Sequence, residues 1–97
     1  MPKAYVIVDM DVTDPERYAA EYVPRSGPAV EAAGGRFLAR GGEVTVLEGD
    51  VQPNRTVVIE FDSVDAAKAW YGSPAYQEAK AAREGAAVGT FIVVEGV

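Results

Sequence analysis

Three short stretches of this chain are apolar at odd and even positions alike: YVIVDM at 5–10, VVIEF at 57–61 and FIVV at 91–94. In a strand, successive side chains point to opposite faces, so such a strand must be covered on both sides. Tyr5 and Ile7 oppose Val6, Val8 and Met10; Val57, Ile59 and Phe61 oppose Val58 and Glu60; Phe91 and Val93 oppose Ile92 and Val94. The helical signals between these strands supply one covering layer. The simplest second cover is the same sheet of another copy, related by a two-fold axis, so the chain is expected to form a homodimer through its sheet faces. At 97 residues, the whole of 1–97 makes one domain with a slim stability margin.

The punctuation between strands is local and specific. Lys3 to Asp11 reads as the first strand. Asp14-Pro15-Glu16 starts a helix, since Asp14 can accept from free N–H groups and Pro15 fits the first helical position. Tyr18 and Tyr22 share a face of it. Pro24 is expected to kink or interrupt it, Ser26-Gly27-Pro28 to restart it and Gly34-Gly35 to stop it. Arg36 to Arg40 begins a second strand, disturbed at Gly41-Gly42 by a bulge and resumed over Glu43 to Glu48 by Val44, Thr45 and Val46. Arg55 to Phe61 is the third strand. Ser63 caps a helix through Trp70-Tyr71, Gly72-Ser73-Pro74 ends it, and a further helix runs to about Arg83 before a last strand over Thr90 to Glu95. The order βαββαβ, with two interrupted helices that echo each other, predicts an α+β, ferredoxin-like fold on a four-stranded antiparallel sheet.

Composition removes several chemistries. Fifteen acids against nine bases give a net charge of −6, and the bases are scattered, so neither a nucleic acid nor an anionic membrane is an expected partner. With no Cys and no His, thiolate nucleophiles, Cys/His metal sites and imidazole acid–base catalysis are unavailable. No metal and no cofactor are expected. The N-terminal apolar run is too short for a signal peptide or a membrane span, which makes a cytoplasmic location the default expectation.

The sequence at 37–42, FLARGG, at 57–63, VVIEFDS, at 69–79, AWYGSPAYQEA, and at 93–96, VVEG, resembles the family called domain of unknown function 1330. The resemblance covers essentially the whole chain. It implies membership of the dimeric α/β-barrel superfamily, hence a ferredoxin-like fold and a barrel-like dimer. Superfamily relatives include cofactor-free monooxygenases, muconolactone isomerases and dye-decolourising haem enzymes, so the resemblance transfers no catalytic residue.

Candidate site residues therefore come from the chain itself. Arg40 offers a planar fork for a carboxylate beside two glycines that admit a close approach, or else it pairs with Glu60 or Asp62, or ends a strand in solvent. Glu60 interrupts an apolar strand and is a candidate acid or base if buried, or a structural ion pair. Asp9 is a weaker case of the same kind. At the second helix break, adjacent helical positions lie about 100° apart, so of Trp70 and Tyr71 one ring is expected in the core and the other at its margin. Ser73, as cap of the next helix, together with Trp70 and Tyr76 forms a possible binding mouth; the alternative is plain capping and packing. Tyr18 and Tyr22 would close such a pocket, with a phenol as hydrogen-bond or proton donor. The expectation is a site for a small anionic or aromatic metabolite between helices and sheet near Arg40, Trp70 and Ser73, serving binding or cofactor-independent catalysis. Its alternative is a non-enzymatic dimeric module in which the same residues only pack and pair.

Overall fold

The computed structural model describes residues 2–97. Strand β1 (Ala4–Val12) leads through Asp14 into α1 (Pro15–Arg17), a π-helical segment (Tyr18–Tyr22) and α2 (Val23–Ala32). Then follow β2 (Arg36–Arg40), β3 (Arg55–Phe61), α3 (Val64–Gly72), α4 (Pro74–Ala82) and β4 (Ala87–Glu95). The sheet order is β2-β3-β1-β4 with every neighbouring pair antiparallel. Each βαβ half is split by a strand of the other, which is the ferredoxin-like topology.

The caps read from the sequence make the expected bonds. The Asp14 carboxylate accepts from Arg17 N at 3.2 Å, Ser63 Oγ from Ala66 N at 3.0 Å and Ser73 Oγ from Tyr76 N at 3.2 Å. Two local expectations differ. Pro24 does not interrupt the first helix: the π-helical segment immediately before it changes the bonding register, Val23 N–H bonds back to Tyr18 O, and the helix absorbs the prolyl ring without a break. The second strand ends at Arg40 and does not resume over Glu43 to Glu48. Its register shift lies between Phe37 and Ala39 rather than at the glycine pair. The β-branched residues of 43–48 have strand propensity, but no neighbouring strand supplies a ladder, and propensity without pairing does not make a strand.

The helices cover one face of the sheet. Alternation places Val6, Val8 and Met10 of β1 opposite Ile59, Val57 and Arg55 of β3, and the same three opposite Val93, Phe91 and Gly89 of β4, all on the helix side. Trp70, Tyr76, Phe61, Met10 and Val30 are the largest fully buried side chains. The opposite face carries Tyr5, Ile7, Val58, Ile92 and Val94, where Ile92 is 57% and Val94 47% exposed. Nothing among the described residues covers it, as the two-faced strands foretold. No helix among the described residues is long and apolar enough to cross a membrane.

Candidate functional site

The helix break at Gly72-Ser73-Pro74 is the hinge of an aromatic cluster. Ser73 Oγ donates to Trp70 O at 2.7 Å while it caps α4, which locks the angle between α3 and α4. That angle sets Trp70 against Tyr76, with ring centres 4.6 Å apart, and against Phe61 at 5.2 Å. Trp70 is 2% exposed, and Tyr71 lies half-buried at the margin, so the two neighbouring rings divide as helical geometry requires. From the first helix, Tyr18 and Tyr22 stack at 5.0 Å, and the Tyr22 and Tyr76 hydroxyls hydrogen-bond at 3.0 Å.

Between this cluster and the sheet lies a small, partly open cavity of about 20 Å³, room for one water. Tyr18, Tyr22 and Ser26 line it from the first helix, Phe37 and Arg40 from β2, Arg55 from β3, and Trp70 and Phe91 from the far side. The π-helical segment carries both tyrosines of this lining. Arg40 and Val57 are register partners, which directs Arg40 toward the helices; its guanidinium lies 4.1 Å over the Phe37 ring. Arg55 reaches the same space, 5.6 Å from the Tyr18 ring centre. Its guanidinium occupies the position a side chain at residue 41 would take, and Gly41 has φ of +74°, so the chain turns away from β2 there only as glycine.

The lining is rich in donors and poor in acceptors. Among the described residues, neither Arg40 nor Arg55 pairs with a carboxylate, and no Asp or Glu lines the cavity. Arg55 Nε and Trp70 Nε1 are buried donors without an acceptor. Buried donors are nearly always satisfied, and both of these orphans belong to residues that line the cavity. Burial pushes the Tyr22 phenol well above its ordinary pKa, and Tyr76 and Tyr18 add to the rise while Arg83 opposes it. Tyr76 is raised too, chiefly by burial, with the bond to Tyr22 and the charge of Arg83 pulling the other way. Both phenols stay protonated at neutral pH.

The other sequence candidates lie elsewhere. Glu60 is on the uncovered face, opposite Tyr5, and forms an ion pair with Arg36. Asp62 pairs with Lys3, and Asp9 accepts from Asn54 N and Nδ2 in the β2–β3 connection. Ser73 and Tyr76 stand behind Trp70 and outside the cavity lining, the first as a cap and the second as partner to Tyr22. The structure thus brings Arg40, Tyr18, Tyr22 and Trp70 together around the cavity, keeps Ser73 and Tyr76 in contact with Trp70 but outside the lining, and places Glu60 on the other face of the sheet. Two arginines escaped the sequence reading. Arg55 had a signal: it shares parity with Val57, Ile59 and Phe61, the face that the helices cover. Arg83, 7% exposed, lies 5.7 Å from the Tyr22 ring centre and 5.4 Å from that of Phe91, and donates to Ala87 O at 3.5 Å. Its position at the end of α4 gave no hint of that burial.

A split-βαβ domain on a four-stranded antiparallel sheet places the chain among small α+β proteins of ferredoxin-like fold. This chain belongs to the family described as Domain of unknown function (DUF1330), which matches residues 3–97. Its fold is similar to that of RPA0582, a protein of unknown function from Rhodopseudomonas palustris, with a TM-score of 0.76 and 24% identity over 99% of this chain and 83% of that one. Methylated RPA0582 gives a TM-score of 0.74 at 25% identity, covering 99% and 82%. SnoaB, a cofactor-independent oxygenase from Streptomyces nogalater, gives 0.66 at 14% identity, covering 97% and 92%, a likeness of fold alone. No curated protein matches the chain.

Proposed function

We propose that this protein binds a small anionic metabolite in the cavity between α1–α2 and the sheet, with Arg40 and Arg55 holding the anion and Trp70 Nε1 donating to one of its oxygens. The observation that carries the reading is the pair of orphaned buried donors, Arg55 Nε and Trp70 Nε1, in a lining that contains no carboxylate. A guanidinium fork suits a carboxylate or phosphate oxygen pair, and two of them beside apolar walls bind more strongly than either would in water. Arg40 is exposed, so its side chain can swing from over Phe37 to admit a ligand larger than the present cavity. The lining holds no group poised to take a proton, so a reaction here would be one that the substrate largely performs itself. The description of SnoaB as a cofactor-independent oxygenase supports extending the reading to catalysis without a cofactor. A thermal-shift screen of carboxylates and phosphates tests it: hits should stabilise the native chain and lose their effect in Arg40→Ala and Arg55→Met. Hits that stabilise those variants equally would reject it.

The uncovered sheet face supports a second element of the proposal, a homodimer packed face to face. The domain is a slab of 37 × 36 × 16 Å, and one broad side is ample for the roughly 800 Å² per partner that stable dimers bury.

A further inference from the structure

The small cavity has a larger neighbour. An open groove of about 520 Å³ runs between α3 and β4, lined by Val6, Ala67, Trp70, Tyr71, Phe91 and Val93 among others, with Lys68 as its single charged residue. Trp70 and Phe91 line both spaces, so these two rings, 6.4 Å apart, are the wall between groove and cavity. The two halves of that wall differ in exposure. Trp70 is 2% exposed and clamped by Phe61 and Tyr76, whereas Phe91 is half-buried on β4, a strand paired on one side only. Phe91 is the more exposed of the two rings, although it too packs against Tyr71 and Tyr76 and lies 5.4 Å from the Arg83 guanidinium.

Resting on the anion site proposed above, we infer that the ligand is an elongated acid: an apolar body lies in the groove between α3 and β4, and its charged head reaches Arg40 and Arg55 past Phe91. The groove is chemically the complement of the cavity. One offers apolar surface with a lone charge at its edge; the other offers cationic and N–H donors around a space for one water, which a head group enters only as Arg40 swings aside. A ligand that used only the cavity would leave the larger apolar space beside Trp70 wet, at the cost of the burial that drives most small-molecule binding. Phe91 then sets specificity, since its position decides how thick a chain can join body to head.

Three probes separate the parts: acetate as head alone, phenylbutyrate as head plus body, and phenylbutanol as body without charge. Trp70 is the chain's only indole, so its fluorescence, checked by calorimetry, reports on the wall itself. Phenylbutyrate should bind about 100-fold more tightly than acetate, as burial of roughly 110 Å² of apolar surface predicts, and phenylbutanol should bind far less tightly than phenylbutyrate. Gly72 lines the groove and has open space where a side chain would begin, so Gly72→Phe should fill the groove without disturbing the fold. It should cut phenylbutyrate affinity tenfold or more and leave acetate affinity unchanged. Equal binding of the two acids, or indifference of phenylbutyrate to Gly72→Phe, overturns the elongated-acid inference while the anion site stands. If neither acid binds, or if Arg55→Met changes neither affinity, both the anion site and this inference fall.

Discussion

The hydroxyls of Tyr22 and Tyr76 meet at 3.0 Å across 54 residues of sequence, joining the π-helical segment to α4 inside the core. This bond ties the helix that lines the cavity to the helix behind Trp70. Either phenylalanine substitution leaves the remaining hydroxyl buried without its partner, which costs more than the net value of the bond. Tyr22→Phe and Tyr76→Phe should each destabilise by about 1–2 kcal/mol, and the double variant by little more than either single one. Urea unfolding in a double-mutant cycle measures the coupling.

The same pair predicts an alkaline limit. Both phenols have native pKa values above the ordinary 10.0, chiefly through burial. Below about pH 10 both native and unfolded chains hold these protons, and the pair contributes no pH dependence. Above it the unfolded chain releases protons that the native chain retains, so stability falls as pH rises, by up to about 1.4 kcal/mol per pH unit for each phenol, until the native phenols ionise. Absorbance titration should show these two tyrosines ionising at higher pH in the native chain than in the unfolded one; stability that is flat between pH 9 and about 11.5 would contradict this.

Trp70 should be the most costly side chain of α3 to truncate. Trp70→Ala removes the ring that Phe61, Tyr76 and Phe91 pack against and should cost about 3–5 kcal/mol. Trp70→Phe keeps much of that packing and removes the orphaned N–H, so it should cost under about 2 kcal/mol while weakening any ligand that accepts from Nε1. Tyr71→Ala, at the margin, should fall between neutral and about 2 kcal/mol. Denaturant midpoints rank the three.

Two glycines should respond oppositely to the same methyl. At Gly35 an added Cβ would lie 2.7 Å from Phe61 Cε1 and 2.9 Å from Val30 Cγ1, both in the core, so Gly35→Ala should cost about 1–3 kcal/mol. At Gly72, in the last turn of α3, it would meet open space, so Gly72→Ala should be neutral or stabilising by up to about 1 kcal/mol. Thermal melts of the two variants against the parent check the contrast.

What could be read from the sequence was what is decided within a few residues. Asp14, Ser63 and Ser73 announced their helices because a cap needs only a side-chain oxygen and the next turn's N–H groups. The faces of β1 and β3 followed from alternation. The passage through Pro24 did not, because a π-helical turn has no sequence signature as firm as proline's penalty. The segment 43–48 misled for the opposite reason: its residues favour a strand, but strands are made by partners. The cavity was half legible. Arg40 and Trp70 stood out as types, whereas the convergence of Arg55 on the same space depends on the register of β1 against β3, where Met10 faces it. Arg36 rather than Arg40 takes Glu60, because positions 36 and 60 are register partners on the uncovered face.

That uncovered face yields the last prediction. Val58, Ile7 and Ile92 form one row across three strands, and Tyr5 with Val94 forms part of the next. In a single copy Ile92 is 57% exposed, so replacing it should scarcely disturb the isolated fold. In a face-to-face dimer it lies against the partner, where an unpaired carboxylate would cost several kcal/mol at each of two symmetric positions. Ile92→Glu should therefore retain the native circular dichroism yet shift the light-scattering mass at micromolar concentration from two subunits to one. Lys68→Glu, a charge change on the helix side, should leave the mass at two. A parent chain that runs as one subunit would remove the dimer, and the row would then be an apolar surface left to water with nothing to offset its exposure.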